Sequence, residues 1–186
     1  MTEPIQEDDL VPYFWGFNVN GDRLVHLDEI LHRIDDVGPQ TEVDLFLLGH
    51  RNLVLIEAKH LSHLGRCSRF GRERCPEIHQ AVGQREAFCR YWEQRDAQFA
   101  RFLNFGERPE IGASSPPCNQ HYQLGRTFLV GRALGQRLNR KDHLWMVLPR
   151  ARWTSLERAW LDFSERILDE AAWRRLRVLA WEDIIE

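Results

Sequence analysis

The stretch TEVDLFLLGHRNLVLIEAK, residues 41–59, contains two apolar runs, 41–48 and 53–59, separated by Gly49, His50, Arg51 and Asn52. Runs of this length joined by a short polar segment predict an antiparallel β-hairpin. If the loop closes tightly, Leu48 pairs with Leu53 and facing residues have numbers that sum to 101. Asp44 then faces Glu57, and Glu42 faces Lys59. Strand side chains alternate, so Glu42, Asp44, Glu57 and Lys59 project from one face, which Phe46, Leu48, Leu53 and Leu55 continue. Val43, Leu45, Leu47, Val54, Ile56 and Ala58 line the other, so both faces are expected to be buried along most of the hairpin. Opposed Cβ atoms lie roughly 5 Å apart, which lets Asp44 and Glu57 share one hard cation. Three acids and a lysine at the end of an otherwise apolar sheet are costly without such a partner. The plain alternative is a solvated hairpin end with Glu42 and Lys59 as a cross-strand ion pair.

Outward from the hairpin, residues 13–19 and 23–34 flank Asn20-Gly21, a dipeptide suited to a type I′ turn, and predict a second pair of antiparallel strands. Residues 60–75 are poor in apolar side chains and carry Arg66, Arg69, Arg72 and Arg74 against Glu73, the pattern of a mobile basic loop. Pro76-Glu77 then opens a predicted helix running to about Leu103, with Ile78, Val82, Phe88, Tyr91, Trp92, Phe99 and Phe102 near helical spacing. Residues 107–119, with Gly112, Ser114, Ser115, Pro116 and Pro117, form a loop, and 120–138 a helix. A buried strand is expected over 143–148, a helix capped by Thr154 or Ser155 after it, and a last strand over 177–181. This order predicts one α/β domain over residues 1–186, a mixed sheet flanked by helices.

The 186 residues are enough to bury a core unaided, and seven tryptophans with 43% hydrophobic residues exclude a disordered chain. No apolar run approaches membrane-spanning length and the N-terminus has no signal-peptide pattern, so the expected location is the cytoplasm, with no membrane partner. Cys67, Cys75, Cys89 and Cys118 then read as thiols rather than a disulfide framework. A net charge of −3 and a pI near 6.2 count against a protein that coats nucleic acid, so any such surface must be local. Of 25 basic residues only Lys59 and Lys141 are lysines, which singles out Lys59.

Asp44, followed after twelve residues by Glu57-Ala58-Lys59, resembles the acid-x-n-(D/E)-x-K signature of the PD-(D/E)XK nuclease superfamily. The resemblance covers roughly residues 41–90, with Val43 in place of the proline of the superfamily's name. It implies a restriction-endonuclease-like fold and metal-dependent hydrolysis of DNA, an endonuclease activity. Asp44 and Glu57 would hold Mg²⁺, for which Mn²⁺ would substitute, with the carbonyl of Ala58 as a further ligand. Lys59 would orient the attacking water or the phosphate, a point-charge role for which arginine is bulkier.

Gln80, as far beyond Lys59 as the superfamily's next motif, and Gln84 one turn later, are expected to touch phosphate or the metal's water shell. An ordinary polar helix face is the alternative. Arg66, Arg69 and Arg72, leaving the strand just after Lys59, are expected to hold the DNA backbone, against a merely solvated loop. His60, His63, Cys67, Cys75 and His79 raise the question of structural zinc, but irregular spacing and the lack of a C-x-x-C pair argue against it. An iron–sulfur cluster, found in one branch of the superfamily, is not expected without a tight C-terminal cysteine cluster.

The upstream helical acid that often completes the metal site must here be Glu29, Asp28 or Glu7. Otherwise a homodimer or a larger complex, or a further N-terminal segment, supplies it. Two rivals to the enzyme are a catalytically inactive nucleic-acid-binding or assembly module on the same fold, and a zinc-stabilised interaction protein.

Overall fold

Strands β1 (Val11–Phe14), β2 (Leu45–Leu48), β3 (Asn52–Ala58), β4 (Lys141–Leu148) and β5 (Leu176–Ala180) form one five-stranded sheet in that spatial order. β1–β2 and β2–β3 are antiparallel, whereas β3–β4 and β4–β5 are parallel. The helices are α1 (Leu27–Asp35), α2 (Ser68–Gly71), α3 (Arg90–Glu93), α4 (Tyr122–Leu138), α5 (Trp153–Ser164), α6 (Glu170–Trp173) and α7 (Glu182–Ile185). This computed structural model describes residues 4–5, 9–35, 40–79, 88–93 and 99–185. A mixed sheet flanked by helices in a single domain is the α/β, restriction-endonuclease-like arrangement that the sequence predicts. Among the described residues no helix is long and apolar enough to cross a membrane.

Leu45 pairs with Ile56 and Leu48 with Leu53, the register in which facing numbers sum to 101. Alternation then sends Phe46, Leu53 and Leu55 into the main core, which also takes Ile30 and Ile34 of α1, Leu124 and Phe128 of α4 and Phe163 of α5. Val54 and Ile56 point the other way and pack with Val147, Leu45, Leu47, Trp145 and Leu179. A hairpin apolar on both faces thus sits inside a layered fold.

α4 packs on β3, β4 and α1 and links the parallel strands β3 and β4. Gly125 and Gly131 let it approach closely: a Cβ at Gly131 would stand 3.0 Å from Cδ1 of Leu55, and one at Gly125 2.9 Å from Cε1 of Phe99. The helix stops at Asn139, which adopts the left-handed conformation (φ 56°) and donates its N–H to Gln136.

Four expectations are corrected. Residues 23–34 are not a strand: the chain turns at 18–22, where Asn18 Oδ1 accepts the N–H groups of Asn20 and Asp22, and then enters α1. Leu27, Ile30, Leu31 and Ile34 recur at i, i+3, i+4 and i+7, and Asp28 and Glu29 in the first turn and His32 and Arg33 in the last complement the helix dipole. No helix opens at Pro76: Cys75 O accepts from both Ile78 and His79 in a tight turn, and only α3 and a 3₁₀ turn at Phe99–Arg101 are helical among the described residues up to Leu103. The basic segment is anchored rather than loose, with α2 inside it and Leu64, Cys67 and Cys75 buried. Finally, α5 follows directly on a 3₁₀ turn at Arg150–Arg152, so Thr154 and Ser155 lie within the helix, and Ser155 donates to the carbonyl of Arg152.

Candidate active site

Glu57 and Lys59 lie at the C-terminal end of β3, where Lys59 N–H still bonds to Val147 O and prolongs the parallel ladder. Both are buried, Glu57 with 1% and Lys59 with 4% of its surface exposed. Lys59 Nζ stands 3.3 Å from Glu57 Oε2. α4 completes the group: Gln123 Nε2 donates to Glu57 Oε2 at 2.8 Å, Gln123 Oε1 accepts from Lys59 at 3.2 Å, and Thr127 Oγ1 donates to Glu57 Oε1 at 2.7 Å. Gln123 Oε1 also accepts the N–H of Gly65, which ties the segment after β3 to the same point.

The observed hairpin register, carried one residue beyond Leu45 and Ile56, sets Asp44 against Glu57. Asp44 is half-buried, and its Oδ2 accepts the backbone N–H of Ala58 at 2.8 Å. Among the described residues nothing bonds its other carboxylate oxygen. Burial pushes the Glu57 carboxyl above its ordinary pKa; the Lys59 ammonium and the Thr127 hydroxyl oppose that shift, and the Asp44 charge adds to it. A buried acid, a lysine in contact with it and a second acid in register therefore form one electrostatic unit.

The donor set fits a hard cation. It consists of the carboxylate oxygens of Asp44 and Glu57, and Glu57 Oε1 retains acceptor capacity beyond its one bond to Thr127. No group of three or more His, Cys, Asp or Glu side chains among the described residues is arranged to hold a metal ion. The site therefore offers two carboxylates rather than a full cage.

Glu42 is exposed, and Lys59 pairs with Glu57 and Gln123 instead, so the cross-strand ion pair is not formed. The acids of α1 are engaged elsewhere: Asp28 with Arg23, Glu29 with His26 and Arg137, and Asp35 with Arg126, Tyr91 and the N–H of Thr41. Gln80, Gln84 and Glu7 lie outside the described residues. Arg66, Arg69 and Arg72 are exposed after β3, while His60 and His63 are also exposed and His79 accepts the N–H of Cys75.

Gln123 and Thr127 were missed by sequence reasoning. Their only signal is a polar pair at i, i+4 beside the apolar positions Leu124 and Phe128, which marks a helix face with a polar task. No curated protein and no solved structure matches the chain. The family described as Restriction Endonuclease associating with ARP matches residues 33–186, and with most of its length covered the chain belongs to that restriction-endonuclease-like family.

Proposed function

We propose that the chain is a metal-dependent DNA endonuclease of the PD-(D/E)XK type. The observation that carries this is the contact of Lys59 with a buried Glu57 at 3.3 Å, opposite an Asp44 with one carboxylate oxygen that no described residue bonds. Asp44, Glu57 and the carbonyl of Ala58 would hold Mg²⁺ or Mn²⁺. When bound, the cation supplies positive charge to the phosphoryl transition state. Lys59 orients the attacking water or the scissile phosphate, and Gln123 holds the ammonium and the Glu57 carboxylate in fixed relation. Arg66, Arg69 and Arg72 would meet the DNA backbone.

The test is cleavage of mixed DNA substrates with Mg²⁺, Mn²⁺ or EDTA. Asp44→Asn and Glu57→Gln are expected to abolish cleavage while the chain still folds, and Lys59→Ala to remove turnover while calorimetry still detects metal binding. If the wild type cuts no DNA with either ion and Asp44→Asn leaves metal binding unchanged, the assignment fails.

A second reading, an inactive binding or assembly module, draws on the near-complete burial of Glu57 and Lys59 and on the family's description as associating with ARP. DNA binding that is indifferent to chelator, without turnover, would favour it.

A further inference from the structure

The chain leaves β1 through a two-residue turn at Trp15 and Gly16, across which Phe14 and Phe17 exchange backbone hydrogen bonds of 2.8 and 2.9 Å. Both turn residues have positive φ, 49° and 85°. Asn, Asp and Gly are the usual occupants of such a turn, and a bulky side chain there is an outlier that only its surroundings can hold. Gly16 follows the rule: a Cβ on it would stand 2.4 Å from Cδ2 of Leu27. Trp15 breaks it. Its carbonyl accepts Nη1 of Arg23 at 2.7 Å, and Arg23 is itself fixed by two bonds to Asp28. Residues held in sparsely populated backbone regions by such contacts concentrate at functional sites.

Trp15 is 64% exposed, and among the described residues its indole makes no hydrogen bond, ring contact or cation contact. Phe17 beside it is covered by the Arg23 guanidinium, 4.6 Å from the ring centroid, which leaves Trp15 as the open ring of the turn. Register sets that ring beside the candidate site. Facing residues of β1 and β2 have numbers that sum to 59, and one residue beyond Phe14 and Leu45 this sets Trp15 against Asp44. Trp15 N–H donates to Asp44 O at 3.2 Å. Trp15, Asp44 and Glu57 therefore follow one another in a row across β1, β2 and β3. Adjacent strands lie roughly 5 Å apart, a span comparable with that from a phosphate to its own base. Trp15 also borders a groove of about 560 Å³ with Phe17, Arg23, Thr41, Glu42 and Phe46. Glu42 repels a phosphate there and Arg23 is compensated by Asp28, so a neutral ring face is the fitting occupant.

We infer, on the proposed nuclease reading of the site, that Trp15 binds substrate: its indole stacks on an unpaired base next to the phosphate held at Asp44 and Glu57. The substrate class is then DNA with unstacked nucleotides at the cut, because a base inside a duplex presents no free face.

The test compares wild type, Trp15→Phe and Trp15→Asn on one sequence offered as a single strand, as a duplex and as a duplex with an unpaired segment. Asparagine suits the positive φ, so Trp15→Asn keeps or raises the melting temperature while it removes the ring. With Mg²⁺, KM on the two unpaired substrates should rise about tenfold in Trp15→Asn with kcat little changed, and Trp15→Phe should recover most of the loss. KM on the duplex should not move. If the wild type cuts nothing, the nuclease reading fails by itself, and fluorescence anisotropy of the same oligonucleotides gives the comparison in Kd; a tenfold loss on unpaired DNA alone then keeps the stacking contact. Equal values for wild type and Trp15→Asn, an equal loss on duplex and single strand, or a wild type that neither cuts nor binds single strands overturns it. So does a wild type that sediments as a dimer beside a monomeric Trp15→Asn with unchanged DNA kinetics, which would make the turn a contact between copies of the chain.

Discussion

Glu57 carries the largest unfavourable electrostatic load in the candidate site, because burial favours its neutral form and Lys59 only partly offsets this. A carboxyl whose pKa is higher in the folded than in the unfolded chain costs stability as pH rises. The native state binds the proton more tightly, so stability falls from the ordinary carboxylate range upward through the raised pKa. Glu57→Gln removes that titration, and at low pH the wild type is itself neutral there. The melting temperature of Glu57→Gln minus that of wild type is therefore expected to be small at acid pH and to widen as pH rises, read by calorimetry without metal. A constant difference across pH would show that Glu57 does not titrate as its surroundings require. Thr127→Val tests the other side of the same group. It leaves Glu57 Oε1 without its hydroxyl donor at unchanged volume, and should cost about 1–3 kcal/mol in denaturant unfolding. The pairing of Asp44 with Glu57 was legible in the sequence because a short loop and strict alternation fix register locally. Gln123 and Thr127 were not, since they reach Glu57 from 66 and 70 residues away and only the docking angle of α4 selects them.

At the scale of elements, that docking rests on small residues. Gly131 lies against Leu55 of β3, so Gly131→Val forces α4 away from the strand carrying Glu57. Overpacking of this kind costs about 1–3 kcal/mol. It should also weaken turnover more than substrate binding, because Gln123 moves relative to Lys59; steady-state kinetics on DNA reads the split. A fall in affinity with unchanged turnover would mean that α4 does not set the geometry of the catalytic group. α4, β3 and β4 were readable because their apolar positions recur at one clear period over long runs. α1 was mistaken for a strand since Asn20-Gly21 resembles a hairpin turn and Arg23, Val25 and Leu27 fit a period of two before the helical spacing of Leu27, Ile30, Leu31 and Ile34 begins. The turn is real, but α1 follows it because that spacing buries Leu27, Ile30, Leu31 and Ile34 together on one face. The segment after Pro76 failed for a different reason. Its apolar residues serve separate contacts, with Tyr91 stacked on Phe99 and Leu103 bridged to Ile167, so near-helical spacing did not mean one helix.

The whole molecule is mildly acidic, with a net charge of −3, yet its proposed substrate is a polyanion. Under the proposed function, affinity for DNA must then come from a local patch, and Arg66, Arg69 and Arg72, exposed in the segment after β3, are the proposed contacts. Each guanidinium that neutralises a phosphate releases counterions, so the logarithm of the binding constant falls with the logarithm of salt concentration with a slope of about −0.9 per phosphate contact. Replacing all three by alanine should weaken binding similarly across sequences and reduce the steepness of the salt dependence by about 2 to 3. Fluorescence anisotropy with the Asp44→Asn chain, which binds without cutting if the proposed chemistry holds, measures this over a range of salt. Removing three charges outside that segment would change the net charge equally, so Arg158→Ala with Arg174→Ala and Arg177→Ala serves as the control. A salt slope that the loop substitutions leave unchanged, or that the control lowers as much, would return residues 66–72 to a solvated surface and place the DNA contact elsewhere on the fold.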